Sequence, residues 1–216
     1  MLFGNFNLAQ LIATGIALLV AFTIHEATHA LVAYRLGDAT AQRAGRLSLN
    51  PAAHLDPMGT LMVLVAGFGW GKPVPVNPRN LHPGGRAGMG LVAGAGPLSN
   101  LIMAFVFAAP FRAGMITWGM MGDSAVIPGV GQVLLTIVTL NVYLALFNLL
   151  PIAPLDGFNV AMGILPESAA RVLWNTQRYG PIILLFLILS GRFIRFDLLG
   201  ATLLPAANAI LRLFLG

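Results

Sequence analysis

Long apolar stretches separated by short polar loops organise this chain, and they predict helices at membrane length. Leu8 to Tyr34 is apolar over the ~20 residues that a membrane-spanning helix needs. A polar stretch with Gly37-Asp38, Arg43 and Arg46 follows, then the turn-rich loop Asn50-Pro51-Ala52-Ala53-His54-Leu55-Asp56-Pro57. Met58 to Trp70 is apolar again, but at about a dozen residues it is too short to span. Arg43 and Arg46 precede it, and Lys72, Arg79 and Arg86 follow. Cations on both sides predict a re-entrant segment that enters and leaves on one face. Lys72-Pro73-Val74-Pro75-Val76-Asn77-Pro78 reads as extended backbone, because each proline disfavours helix in the residue before it.

Ala87 to Pro110 is a second span, with Gly88, Gly90, Gly94 and Gly96 in the small-xxx-small spacing that lets helix backbones approach. Ile127 to Leu150 is a third. It ends in Asn148-Leu149-Leu150-Pro151-Ile152-Ala153-Pro154-Leu155-Asp156-Gly157, where two prolines and a glycine unwind the helix. Leu155 to Leu165 resumes as helix. Pro181 to Ser190 and Leu198 to Phe214 form a C-terminal helical hairpin, with Pro205 weakening its second arm. The expected fold is an all-α polytopic membrane protein of about 5–6 membrane helices. It carries the re-entrant segment and a short β-hairpin or extended loop. It reads as a single domain over residues 1–216, with a core at 8–165 and the C-terminal hairpin at 179–216.

Composition agrees: the chain is 57% hydrophobic and 9% charged, where a soluble domain carries about 25% charged residues. The net charge of +5 is nearly all arginine, with Lys72 the only lysine. No basic-aromatic stripe accompanies it, so nucleic acid is excluded as a partner and the cations report orientation. With the loop after the first helix inside, Arg35, Arg43, Arg46, Lys72, Arg79, Arg86, Arg171 and Arg178 face the cytoplasm. Arg112, Arg192 and Arg195 then face out, and the excess inside satisfies the positive-inside rule. The N-terminus is then outside the cell membrane. The first apolar run has no cationic n-region and reads as a retained span. The absence of cysteine excludes thiolate ligands and disulfides.

Within the first span lies Ile24-His25-Glu26-Ala27-Thr28-His29-Ala30. Ionisable groups at bilayer depth are expensive and default to a functional reading. His25 and His29 are four apart and share one helix face, so two neutral imidazoles can grip one metal ion. Glu26 lies one step round, within reach of a metal-bound water: the zinc-metallopeptidase arrangement. A third ligand must come from elsewhere. The acids outside the motif are Asp38, Asp56, Asp123, Asp156, Glu167 and Asp197, and the other histidines are His54 and His82. Asp156 is favoured, at a broken helix end expected on the same membrane side. His54 and Asp56 come second, as loop contacts, a second metal site or a gate. A metal or proton transporter or channel uses the same residue types, and an inactive membrane scaffold is a third reading. Glu26 discriminates, because only a protease needs it for chemistry.

These motifs together resemble the site-2 protease family of intramembrane zinc metalloproteases. His25-Glu26-x-x-His29 is joined by Asn148-x-x-Pro151-x-x-Pro154-Leu155-Asp156-Gly157 and by Gly96-Pro97-Leu98-Ser99-Asn100. Asn50-Pro51-x-x-His54-x-Asp56-Pro57-x-Gly59-Thr60 and Trp70-x-Lys72-Pro73-Val74-Pro75-Val76-Asn77 are similar to its compact prokaryotic branch. The resemblance implies cleavage of a membrane-protein or signal-peptide substrate within the bilayer. It implies one catalytic zinc ion held by His25, His29 and Asp156, Glu26 as general base, and Asn148 holding the substrate or its scissile carbonyl. Many relatives carry an inserted peptide-binding domain, and no soluble insertion that long occurs here. Substrate binding is therefore expected at Lys72, Val74, Val76 and Asn77, by strand addition. Self-association into a homo-oligomer is left open.

Overall fold

The computed structural model describes residues 7–56, 58–59, 71–122, 124–193 and 197–216. Helices α1 (Leu8–Arg35), α2 (Gly85–Arg112) and α3 (Val130–Asn148) are the first three spans. A short helix α4 (Asp156–Ile164) follows the proline break. Then come α5 (Glu167–Thr176), α6 (Gly180–Phe193) and α7 (Leu198–Leu215). Among the described residues five helical stretches are long and apolar enough to cross a membrane, the fourth being Glu167–Ser190, which joins α5 to α6.

Asn7 caps α1, its Oδ1 accepting the Gln10 N–H at 2.8 Å. Buried positions then recur at every fourth residue: Ala9, Ala13, Ala17, Ala21, His25, His29 and Ala33. A strip of alanines lets α1 lie close to α2 and α3. The two histidines occupy rungs of that ladder, so their rings are pressed into the bundle. α2 and α4 meet at glycines: a Cβ built on Gly90 would stand 3.2 Å from Gly163 Cα. At the other end of the bundle Ala104 and Ala108 of α2, Val138 and Val142 of α3 and Ala207 of α7 form an apolar core. Pro205 lies inside α7, which continues through it, so the expected weakening does not end the helix.

The connection from α1 to α2 is built on Asp38, which is fully buried. Its carboxylate accepts from Thr40 Oγ1 at 2.5 Å, Thr40 N–H at 3.1 Å, Asn80 Nδ2 at 2.9 Å and Asn77 N–H at 2.7 Å. Burial pushes this carboxyl up, but the hydrogen bonds from Thr40, Asn77 and Asn80 outweigh it and hold the pKa at about 2. Asp38 thereby fastens the far end of segment 72–77. The near end is fastened by loop 46–56. Lys72 N–H donates to His54 O at 2.8 Å, and Arg46 Nη2 donates to Lys72 O. Of the expected hairpin or extended loop, the structure has a loop: residues 72–77 form neither helix nor strand, and an isolated Leu55–Gly71 bridge is the only β pairing among the described residues. Two prolines remove the N–H donors that a ladder would need. The expected re-entrant segment from Met58 to Trp70 lies outside the described residues apart from Met58 and Gly59, as do Asp123 and Arg195.

Candidate metal centre

The site forms where α1, α2 and α4 converge. His25 and His29 are buried, with their Nε2 atoms 3.0 Å apart. Asp156 is the first residue of α4, placed there by the break at residues 149–155. Gly157 is required beside it, because a Cβ there would lie 2.5 Å from Leu150 O. Asp156 Oδ2 comes to 3.0 Å from His25 Nε2 and 3.3 Å from His29 Nε2.

Helix α2 fixes what those atoms can do. His29 Nδ1 donates to Val92 O at 2.7 Å, and a carbonyl can only accept. His25 Nδ1 donates to Asn100 Oδ1 at 2.6 Å. The Asn100 amide is oriented by its own donations, from Nδ2 to Ala21 O at 3.2 Å and to Asn141 Oδ1 at 2.7 Å. Each imidazole therefore carries its proton on Nδ1 and presents a bare Nε2 to Asp156. Asp156 Oδ2 is buried and has no hydrogen-bond partner among the described residues. Three lone-pair donors lie within 4.8 Å of one another. They repel unless a cation sits among them, and two imidazoles with one carboxylate suit a catalytic zinc ion that keeps its fourth position open.

Val92, Gly96 and Asn100 follow one another at four-residue intervals, so one face of α2 forms the whole cradle. Gly96 is its flat centre: a Cβ there would stand 2.5 Å from His29 Cε1 and 2.6 Å from His25 Cε1. Pro97 lacks an N–H and opens the helical ladder at Ala93, next to the carbonyl that receives His29. The expectation that Gly88 to Gly96 serve helix packing therefore divides. Gly90 and Gly94 face α4, whereas Gly96 faces the imidazoles.

The ligands open on a cavity of about 310 Å³, lined also by Glu26, Pro73, Val74, Val76, Val92, Asn148 and Asn159. Glu26 is half-buried on its wall and approaches Gly71. Arg46 lies behind it. Burial pulls that guanidinium pKa down, and the Glu26 carboxylate raises it in opposition. Asn148, at the end of α3, gives one amide hydrogen to Leu144 O at 3.0 Å and keeps the other.

The sequence-predicted residues thus fall into two groups. The structure brings together His25, Glu26, His29, Asn148, Val74, Val76 and Asp156. It does not bring in Lys72 or Asn77, which anchor the two ends of segment 72–77 through their backbones. Nor does it bring in His54 or Asp56. His54 donates from Nε2 to Ser48 O at 2.7 Å, and Asp56 Oδ1 accepts the Gly59 N–H at 2.8 Å. Among the described residues His25, His29 and Asp156 are the one group with metal-ligand geometry. Sequence reasoning missed Gly96 as the seat of the rings, Arg46, Asn141 and Asn159. The four-residue ladder through both histidines, and an asparagine midway along apolar α3, were the signals available.

Peptidase family M50 matches residues 112–190, which include Asn148 and Asp156. The "Putative zinc metalloprotease YwhC" of Bacillus subtilis is 42% identical over 201 residues, covering 92% of this chain and 89% of that protein. The "Putative zinc metalloprotease Rip2" of Mycobacterium tuberculosis is 30% identical over 212 residues, covering 91% and 78%. Its namesake in Mycolicibacterium smegmatis is 29% identical over 175 residues, covering 80% and 64%. No solved structure matches the chain significantly.

Proposed function

This chain belongs to the site-2 protease family, peptidase family M50, and from that premise we propose that it is an intramembrane zinc endopeptidase. Its substrate is the transmembrane or membrane-proximal segment of another membrane protein, or a signal peptide left in the bilayer. The observation that carries the reading is the convergence of three lone-pair donors on His25, His29 and Asp156, beside Glu26, on a cavity in a multi-pass membrane protein.

His25 Nε2, His29 Nε2 and Asp156 Oδ2 would hold the ion. Bound there, zinc lowers the pKa of a coordinated water to about 7 and polarises a carbonyl. The residues of the chain do the rest. Glu26 takes the proton of the attacking water as its oxygen bonds to the scissile carbon. It then returns that proton to the amine as the C–N bond breaks. Asn148 uses its spare amide hydrogen on the carbonyl oxygen. A helical substrate hides its peptide bonds, so it must unwind first. Val74 and Val76, whose N–H groups have no partner among the described residues, pair with the unwound stretch by strand addition. Arg35, Arg43, Arg46, Lys72, Arg79 and Arg86 between the bodies of α1 and α2, against Arg112, Arg192 and Arg195 on the other side, support a metal motif towards the cytoplasm and an N-terminus outside.

The test is zinc content together with cleavage of a single-span substrate in detergent, for wild type and Glu26→Gln. Stoichiometric zinc in both, with cleavage only in wild type, is the expected result. No zinc in either would overturn the protease reading in favour of transport.

A further inference from the structure

We infer that Asn141, on a helix that supplies no metal ligand, is a positioning residue that fixes the tautomer of His25. The inference rests on the metalloprotease reading and adds to it a group on α3. Asn141 is fully buried in an otherwise apolar stretch. Its Nδ2 donates to Ile137 O at 2.9 Å, and its Oδ1 accepts from Asn100 Nδ2 at 2.7 Å. Asn100, also fully buried, passes the direction on by accepting from His25 Nδ1 at 2.6 Å.

Every link has one allowed direction. Ile137 O can only accept, so the Asn141 amide presents its oxygen to Asn100 and its nitrogen to its own helix. Asn100 must then present nitrogen to Asn141 and to Ala21 O, and oxygen to His25. His25 Nδ1 must carry the proton, which leaves Nε2 bare. Reversing the Asn100 amide would set its oxygen against Asn141 Oδ1 and Ala21 O, and its nitrogen against His25 Nδ1. His25 Nδ1 would then have to accept, and the imidazole proton would move to Nε2, where it blocks coordination. Without Asn141, one of the two oxygens opposing that reversal is gone. A hydrogen bond to the far ring nitrogen is what fixes tautomer and basicity in a metal-ligating histidine.

The experiment is zinc affinity by chelator competition on the full chain in detergent, with helical content and the unfolding midpoint as fold controls. Asn141→Leu keeps the branched shape and removes the acceptor. It should bind zinc up to about 10-fold more weakly, the low end of the cost of losing the ligand's own partner, because Ala21 O still holds the Asn100 amide. Asn141→Asp, neutral when buried, still accepts from Asn100 and can donate to Ile137 O, so it should retain wild-type affinity. If Asn141→Leu does not fold, Asn141→Ser replaces it. The serine hydroxyl bonds its own helix and leaves Asn100 without the acceptor, so the same loss is expected. Wild-type affinity in the Leu or Ser variant, or equal loss in the Asp variant, would overturn the inference while leaving the metal site intact. A wild type that binds no zinc would overturn the metalloprotease reading and this inference with it.

Discussion

Gly96→Ala is the sharpest perturbation of the metal centre that leaves every ligand in place. The new methyl would stand 2.5 Å from His29 Cε1 and 2.6 Å from His25 Cε1. Ordinary carbon contacts begin near 3.4–3.5 Å, so both rings must retreat by about 0.8–1.0 Å. They cannot do so freely, because both are tethered to the helix that pushes them. His29 is held to Val92 O at 2.7 Å, and His25 to Asn100 Oδ1 at 2.6 Å. A retreat of that size stretches each bond to about 3.4 Å or beyond, past useful hydrogen-bond length. Each lost outer-shell partner costs about 10–100-fold in metal affinity. Losing both predicts about 100- to 10,000-fold weaker zinc binding, or about 3–6 kcal/mol. Overpacking adds about 1–3 kcal/mol of destabilisation. The assay is zinc affinity by chelator competition, beside the unfolding midpoint of the metal-free protein. Gly94→Ala is the internal control on the same helix, because its Cβ would meet Val160 Cγ2 at an ordinary 3.6 Å. Wild-type zinc affinity in Gly96→Ala, or equal losses in both variants, would refute the cradle.

Three further outcomes are expected. Asp156→Asn should lose stoichiometric zinc while keeping its helical content, because two neutral imidazoles remain without the anionic ligand; stoichiometric zinc in that variant would remove Asp156 from the ligand set. Proline at Val74 and Val76 should abolish cleavage with zinc still bound, since the backbone donors for the substrate are gone, and unchanged cleavage would remove strand addition. The Asp38 carboxyl has a pKa of about 2 in the fold, below its unfolded value near 3.9. Its contribution is therefore fully present above about pH 4 and is lost as pH falls towards 2. The shift corresponds to about 2.6 kcal/mol at most. Unfolding midpoints measured across that window should fall in wild type and stay flatter in Asp38→Asn; parallel curves would show that Asp38 does not carry the effect.

The membrane class, the first three spans and the break before Asp156 were legible in the sequence because each depends on local chemistry. Apolar runs of span length have one solvent that suits them, and Pro151 and Pro154 lack the N–H that would carry the helix on from α3. The pairing of His25 with His29 was equally legible, since a four-residue spacing fixes a shared face whatever the helix packs against. Asp156 could be named from its place at a broken helix end, but its distance to the imidazoles depends on how α4 folds back beneath α2. The remaining features exist only in the packed bundle. Gly96 looks like any other glycine in a small-residue helix until the imidazoles are set against it. Asn100 and Asn141 stand 41 residues apart, and their amides acquire direction only when three helices bring two backbone carbonyls and one imidazole to them. Lys72 and Asn77 looked like parts of a substrate strand, and tertiary hydrogen bonds to His54 O and Asp38 and from Arg46 made them its fixed ends. Local sequence chooses helix, break and face. The atoms that set the protonation and exposure of the site come from other helices, and only the packed bundle brings them together.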